Sequence, residues 1–341
     1  MAASKSARRW LPAAWLPTVC LFSAAVLLPV PSIADDGPLA GMFAWAEPHT
    51  HSAIDVPSAP IVTRYRTPLN RPRRLVLNSV GTVHVADWGA GTIVQIDAEG
   101  QSRFLADGLD EPAGLAFDQA ENLYVVTHAG GMTRQGRVIR IDPEGNQSVV
   151  AEGLTGLTDI VVDPAGDLYV ASFEENRILR IATDGTVSTV IDDVAAPTAL
   201  AMDKGGSLFV ASSDDGTILR LGPGEALPVV FVRGLLVPSD IVFDARGHLI
   251  VASYGETGLM WIDSRGTSNP FAIVPKGTIG IAFDREGNLL FANWDEHYLT
   301  RVVTHLSIPC PHCGKPVPLR LVPRTRKPSP PVEAESDEPV I

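Results

Sequence analysis

The sequence predicts an all-β fold, a six-bladed β-propeller built from four-stranded blades. Three observations carry this. One phrase recurs six times at a spacing near 40 residues, most copies hold four strand-like runs, and an orphan strand upstream of the first copy matches a gap in the last. One such sheet cannot bury both of its faces, whereas six arranged in a ring can.

The phrase is clearest at residues 157–185, "LTDIVVDPAGDLYVASFEENRILRIATDG". Its "LYVA" strand begins at Val83, Leu123, Leu168, Leu208, Leu249 and Leu289, giving spacings of 40, 45, 40, 41 and 40 residues. The one long interval contains "HAGGMTRQG" (128–136), an insertion in a loop. Before each of these strands lies an apolar run ending in Asp or Asn: "RLVLN", "GLAFD", "DIVVD", "ALAMD", "DIVFD" and "GIAFD". These runs are apolar on both faces, as suits the innermost strand of a blade. In "DPAGDLYV" and "DREGNLLF" a Gly stands three residues after the Asp, where its tolerance of positive φ allows a tight hairpin. Third strands such as "TIVQID", "RILRIA" and "TILRLG" alternate apolar and polar residues, as half-buried strands do. Looser fourth strands follow, such as "QSVVAEGL" and "PVVFVRGL".

The last copy stops after three strands, near Val303, while "IVTRYRTPLNRP" (61–72) stands upstream without a blade. Residues 61–66 are therefore expected to complete the last blade, so that no sheet edge is left open where the ring closes. The propeller then occupies residues 61–306.

Of the 341 residues, 27 are Lys or Arg and 39 are Asp or Glu, a formal charge of −12. Phosphate-backbone binding needs clustered cations, so nucleic acid is not an expected partner. With 45% hydrophobic residues the core can be large, and 30 Gly and 28 Pro suit a turn-rich β fold. Outside the repeats, Lys5, Arg8 and Arg9 precede an uncharged run from Trp10 to Ile33 that ends in Ser32-Ile33-Ala34. Residues 1–34 read as an export signal, making the protein secreted or periplasmic. If the segment stayed uncleaved it would be a membrane anchor, although four prolines weaken that helix. Residues 35–60 read as a linker, and the proline-rich residues 307–341 as a disordered tail. Within the tail, Cys310-Pro-His-Cys313 has the spacing of one zinc knuckle. The only other cysteine is Cys20, in the leader, so no second pair completes the site. A disulfide, a free redox pair or a metal shared between two chains are the alternatives.

The pattern "P-x-[GD]-I-[AV]-[FV]-D-x-x-G-x-L-Y-V-A", followed by "R-I-L-R-I-x-x-D-G", resembles NHL-repeat propellers over residues 61–303. It is also similar to the gluconolactonase/senescence-marker-protein and streptogramin-lyase-like propellers. For the lactonases the resemblance implies a divalent cation in the central channel, held by Glu, Asn and Asp near the starts of the innermost strands. The matching positions here are Arg73, Ala113, Thr158, Thr198, Ser239 and Ile279, none of them a carboxylate or Asn. One residue further on stand Asp159 and Asp240. These two either hold Ca, Mg or Zn through waters or cap turns at their strand starts. The lyase pattern asks for a His beside acidic ligands, and His128 and His297 qualify by loop position alone.

The residues following each "LYVA" strand should line one face of the propeller. In five of six copies they include an aromatic ring or His: Trp88, His128, Phe173, Tyr254 and Trp294. Such rings either stack on sugars and flat ligands or wedge between blades. No nucleophile–base–acid set is apparent, and the serines lack a G-x-S-x-G context. The expected function is a binding module for a small molecule, glycan or protein at its loop face. The alternative is a metal-dependent hydrolase of the lactonase type, or a lyase, acting at the channel.

Overall fold

A computed structural model describes residues 54–56, 62–65, 67–128, 135–303, 307–309 and 316–321. Each blade is one antiparallel four-stranded sheet, and in five of the six the strands follow in chain order. The innermost strands are Pro72–Leu77, Pro112–Phe117, Leu157–Val162, Pro197–Met202, Pro238–Phe243 and Thr278–Phe283, which define blades 1 to 6. The second strands begin at the six positions the repeat marks, from Val83–Asp87 to Leu289–Asn293. Four innermost strands open on Pro, which there forfeits no interior ladder bond.

The hairpins obey the Asp-to-Gly spacing for a local reason. Asp163 Oδ1 accepts the N–H groups of Ala165 and Asp167 at 2.8 and 2.9 Å, while Gly166 turns the chain at φ 90°. Asp118, Asp203 and Asp244 use the same oxygen in the same way. Each side chain thus satisfies two backbone donors that the turn would leave open.

The ring closes as expected. Val62–Arg64 pairs antiparallel with Tyr298–Val302 and supplies the fourth strand of blade 6, setting Val62 opposite Val302 and Arg64 opposite Thr300. Burial lies between blades. Ile160, Leu168 and Val170 of blade 3 cluster with Val126 and Val138 of blade 2, and the other blade junctions repeat the arrangement. The fourth residue of each innermost strand (Leu75, Leu115, Ile160, Leu200, Ile241, Ile281) is fully buried. Each such side chain contributes on the order of 2 kcal/mol of burial.

A separate three-stranded sheet corrects the expectation of wholly irregular ends. Ile54–Val56 pairs in parallel with Pro316–Leu321, which pairs antiparallel with Ser307–Pro309. Ile54-Asp55-Val56 and Leu319-Arg320-Leu321 each alternate apolar and polar residues, the period of a strand, though composition alone marks both regions as irregular. The leader, most of the linker and the Cys310–Cys313 turn lie outside the described residues. Among the described residues no helix is long and apolar enough to cross a membrane.

Candidate functional site at the channel mouth

The loop face is built by one device used six times. The residue preceding each innermost strand adopts a left-handed backbone: Arg71, Glu111, Gly156, Ala196, Val237 and Gly277, with φ between 49° and 79°. Its carbonyl then accepts the N–H of the residue just past the second strand of the same blade. His128 bonds Glu111, Phe173 bonds Gly156, Tyr254 bonds Val237 and Trp294 bonds Gly277, at 2.8–3.0 Å. In blade 1 the bond shifts by one residue, from Gly89 to Asn70. A non-glycine residue pays about 1 kcal/mol or more for this backbone. Because the conformation recurs in all six blades, it belongs to the scaffold and fixes the height at which the loop side chains stand. A β-bulge follows within the first residues of every innermost strand and re-aims the next side chains.

The hydroxyls of this face are structural. Ser172 Oγ donates to Thr155 O and Ser212 Oγ to Ala195 O, both at 2.6 Å, and Asn293 Nδ2 donates to Lys276 O at 2.7 Å. Asp87 takes the corresponding place in blade 1, accepting Asn70 N–H at 2.7 Å. Burial pushes the Asp87 carboxyl up to about 6, against the pull of that one bond. Thr158 and Thr198 donate to Pro197 O and Pro238 O at 2.8 and 2.7 Å, linking successive blades.

Immediately below, the third residues of the six innermost strands alternate in kind: Arg74, Gly114, Asp159, Ala199, Asp240, Gly280. Blades 1, 3 and 5 carry charge, and blades 2, 4 and 6 carry almost no side chain. Arg74 Nη1 forms an ion pair with Asp240 Oδ1, and its Nη2 lies 3.3 Å from Asp159 Oδ2 and 3.4 Å from Leu200 O. Asp159 Oδ2 also accepts Leu200 N–H at 2.8 Å, and Asp240 Oδ2 accepts Ile281 N–H at 2.7 Å. Each carboxylate therefore satisfies a backbone amide on the innermost strand of the next blade, where the channel-side edge has no ladder partner. The small residues between them are required by proximity: a Cβ on Gly114 would meet Asp159 Cα at 2.5 Å.

Asp159 and Asp240 are 1% and 0% exposed. Expected either to hold a cation through waters or to cap turns at their strand starts, they do bond their own strands in part: Asp240 Oδ1 accepts the Ile241 N–H at 2.8 Å. They also reach across to the neighbouring blade, and the cation between them is the guanidinium of Arg74. Burial raises the Asp159 carboxyl while Arg74 draws it back down. A divalent cation prefers six or more oxygens and no competing positive charge. Among the described residues no three His, Cys, Asp or Glu side chains converge on one point. The place between these carboxylates does not fit such an ion.

The candidate rings separate into two groups. Trp294, Trp88 and His128 form a continuous line over blades 6, 1 and 2, with centroids 5.8 and 5.0 Å apart. Phe173 and Tyr254 are exposed and stand outside it, with Tyr254 donating its hydroxyl to Asp295 Oδ1 at 3.3 Å. His297 is exposed in a left-handed turn residue at φ 60°. Two arginines that residue-type patterning passed over complete the cluster: Arg73 lies 4.8 Å above the Trp88 ring and Arg71 5.8 Å from the Trp294 ring. The signal for them was "RPRR" (71–74), three arginines in four residues at the start of an apolar strand in an acidic chain. His128 Nδ1 is 3.2 Å from Leu157 O, and its Nε2 is 4.0 Å from Glu174 Oε1. Burial first, then Arg73, holds His128 below its ordinary pKa, so it is neutral at pH 7. Burial also draws Arg73 down to about 10, still charged at pH 7.

Solved structures share this fold at low sequence identity. A gluconolactonase from Xanthomonas campestris superposes with a TM-score of 0.62 at 17% identity, over 72% of this chain and 90% of that one. Virginiamycin B lyase from Staphylococcus aureus gives 0.56 at 14% identity, over 72% and 99%. A streptogramin B lyase gives 0.54 at 12%, over 71% and 97%. No family model matches the chain, and no curated protein matches its sequence. The likeness is one of fold: the chain is a six-bladed β-propeller similar in architecture to gluconolactonase and streptogramin B lyase propellers.

Proposed function

We propose that this propeller is an exported binding module whose ligand rests on the loop face over blades 6, 1 and 2. The observation that carries the reading is Arg74. A channel hydrolase of the lactonase kind would use a divalent ion there to polarise a carbonyl and acidify a water. In this chain the two channel carboxylates are paired with the protein's own cation. Ser172 and Ser212 donate to backbone carbonyls at 2.6 Å and approach the carboxylates of Glu175 and Asp215 only at 3.3 and 3.4 Å, the first of which is paired with Arg177. What remains available above them is a half-buried line of Trp294, Trp88 and His128. Such rings offer apolar area at little entropic cost, the surface a sugar or flat small molecule needs.

The test is metal analysis of the purified protein together with a lactone-hydrolysis panel and tryptophan fluorescence against a set of sugars and small ring compounds. The expected outcome is no stoichiometric divalent ion, no hydrolysis, and quenching that Trp88→Ala abolishes. Lactone hydrolysis that is lost with EDTA would overturn the reading.

A further inference from the structure

We infer that the ligand is a compact monoanion, a ring bearing one carboxylate, held by Arg71 and Arg73 while its ring lies against the Trp294–Trp88–His128 line. This deepens the binding reading above and rests on it.

Three arginines within four residues converge on the mouth of an otherwise acidic protein, and they have different employment. Arg74 is taken up by Asp159 and Asp240. Arg73 is half-buried and lies over Trp88; Asp159 and Glu111 attract its charge, yet among the described residues its guanidinium makes no direct hydrogen bond or ion pair. Arg71 is exposed and, among the described residues, approaches only Trp294. A partly desolvated guanidinium with unused N–H donors lowers its free energy by meeting an anionic acceptor. Its planar fork suits a carboxylate, and the ring beneath holds that fork in place.

No other blade carries a cation at the positions matching Arg71 and Arg73. At the positions matching Arg71 and Arg73, the other blades carry Gly156, Ala196, Val237 and Gly277, and Ala113, Thr158, Thr198, Ser239 and Ile279. The exception is Glu111, which faces Arg73, and Glu174 stands beside His128. The acidic balance of the whole chain, 39 Asp and Glu against 27 Lys and Arg, opposes a second negative charge on the ligand, which selects a monoanion over a polyanion. The half-buried rings bordering both arginines call for a ring rather than a linear acid.

The experiment titrates the full chain's tryptophan fluorescence with glucuronate, glucose, benzoate, benzyl alcohol and citrate. Either ring acid should bind at least about tenfold more tightly than its neutral counterpart and than citrate, and added salt should weaken it. Arg71→Gln, at an exposed side chain, and Arg73→Gln should each cut the preference for the acid over its neutral counterpart about fivefold or more. Melting curves confirm that the variants fold. Equal binding of acid and neutral compound, or indifference to both substitutions, overturns the anion inference and leaves the binding module standing. If none of the five probes perturbs the tryptophans, the inference is overturned together with the site it rests on.

Discussion

Arg74, on the innermost strand of blade 1, pairs across the channel with Asp240 of blade 5 and at the same time approaches Asp159 of blade 3. One guanidinium thus joins three alternate blades at the point where their unpaired strand edges meet. Arg74→Ala leaves the buried Asp240 without its ion pair and Asp159 with only the more distant Arg73, a loss of about 3–5 kcal/mol. In a domain of this size that lowers Tm by roughly 6–20 °C. Millimolar calcium or manganese should raise the Tm of the variant and leave the wild type unmoved. Melting curves with and without metal check this, and an equal response in both proteins would show that Arg74 does not occupy a cation's place.

The spacing between those blades sets a second expectation. A Cβ on Gly280 would stand 2.3 Å from Arg73 O, and one on Gly114 2.5 Å from Asp159 Cα, both backbone atoms that cannot step aside. Gly280→Ala and Gly114→Ala should each cost about 2 kcal/mol or more. Alanine at Gly258, where the nearest atom is 3.7 Å away, should cost less than half as much. Urea unfolding of the three variants makes the comparison.

Two buried groups of blade 1 titrate with opposite effect on stability. His84, between Thr82 O and the amide of Gln95, is held down to about 4 by burial. The folded state prefers it neutral, so its contribution is complete above its ordinary value near 6.5 and is lost as pH falls from there toward 4. Asp87 is raised to about 6, so folding prefers it protonated, and stability is regained as pH falls from 6 toward its ordinary value near 4. The two partly cancel in the wild type. Asp87→Asn should therefore lose more stability between pH 6.5 and 4 than the wild type, and His84→Gln less. Melting temperatures across that interval, with an NMR titration of the His84 ring, test both signs.

The scaffold was legible because each of its parts writes a local pattern. The Asp-to-Gly spacing marks Asp163 and its equivalents, the "LYVA" run marks every second strand, and the orphan strand at Val62–Arg64 marks the closure. The site was less legible because it depends on what faces what across a ring. Asp159 and Asp240 are visible as carboxylates at matched positions, but nothing local says that a residue 85 or more positions earlier supplies their cation. Trp88, His128 and Trp294 share a motif position with Phe173 and Tyr254, yet only the first three meet. Their blades are neighbours only because blade 6 closes on blade 1. The edge sheet of Ile54–Val56 with Pro316–Leu321 was hidden for a similar reason, since its partners lie at opposite ends of the chain.

Closure itself yields the last prediction. Val62–Arg64 covers the outer edge of Tyr298–Val302, and the Arg64 guanidinium lies 3.9 Å from the centre of the Tyr298 ring. Tyr298 is 6% exposed, and burial, reinforced by Glu296, pushes its phenol up to about 12. Deleting residues 61–66 alone keeps Ile54–Val56, removes the closing strand, leaves the outward N–H and C=O groups of Tyr298–Val302 unpaired, and uncovers that ring. An exposed strand edge recruits another chain, so the shortened protein should self-associate more than the full chain does. The tyrosine should titrate closer to its ordinary value near 10. Arg64→Ala keeps the strand and loses the cation–ring contact and the side-chain hydrogen bond to Tyr298, about 1–2 kcal/mol, with no change in association. Size-exclusion chromatography and ultraviolet titration of the phenols separate the two cases. A shortened chain that self-associates no more than the full chain, with an unchanged high phenol pKa, would mean that the ring closes without this strand.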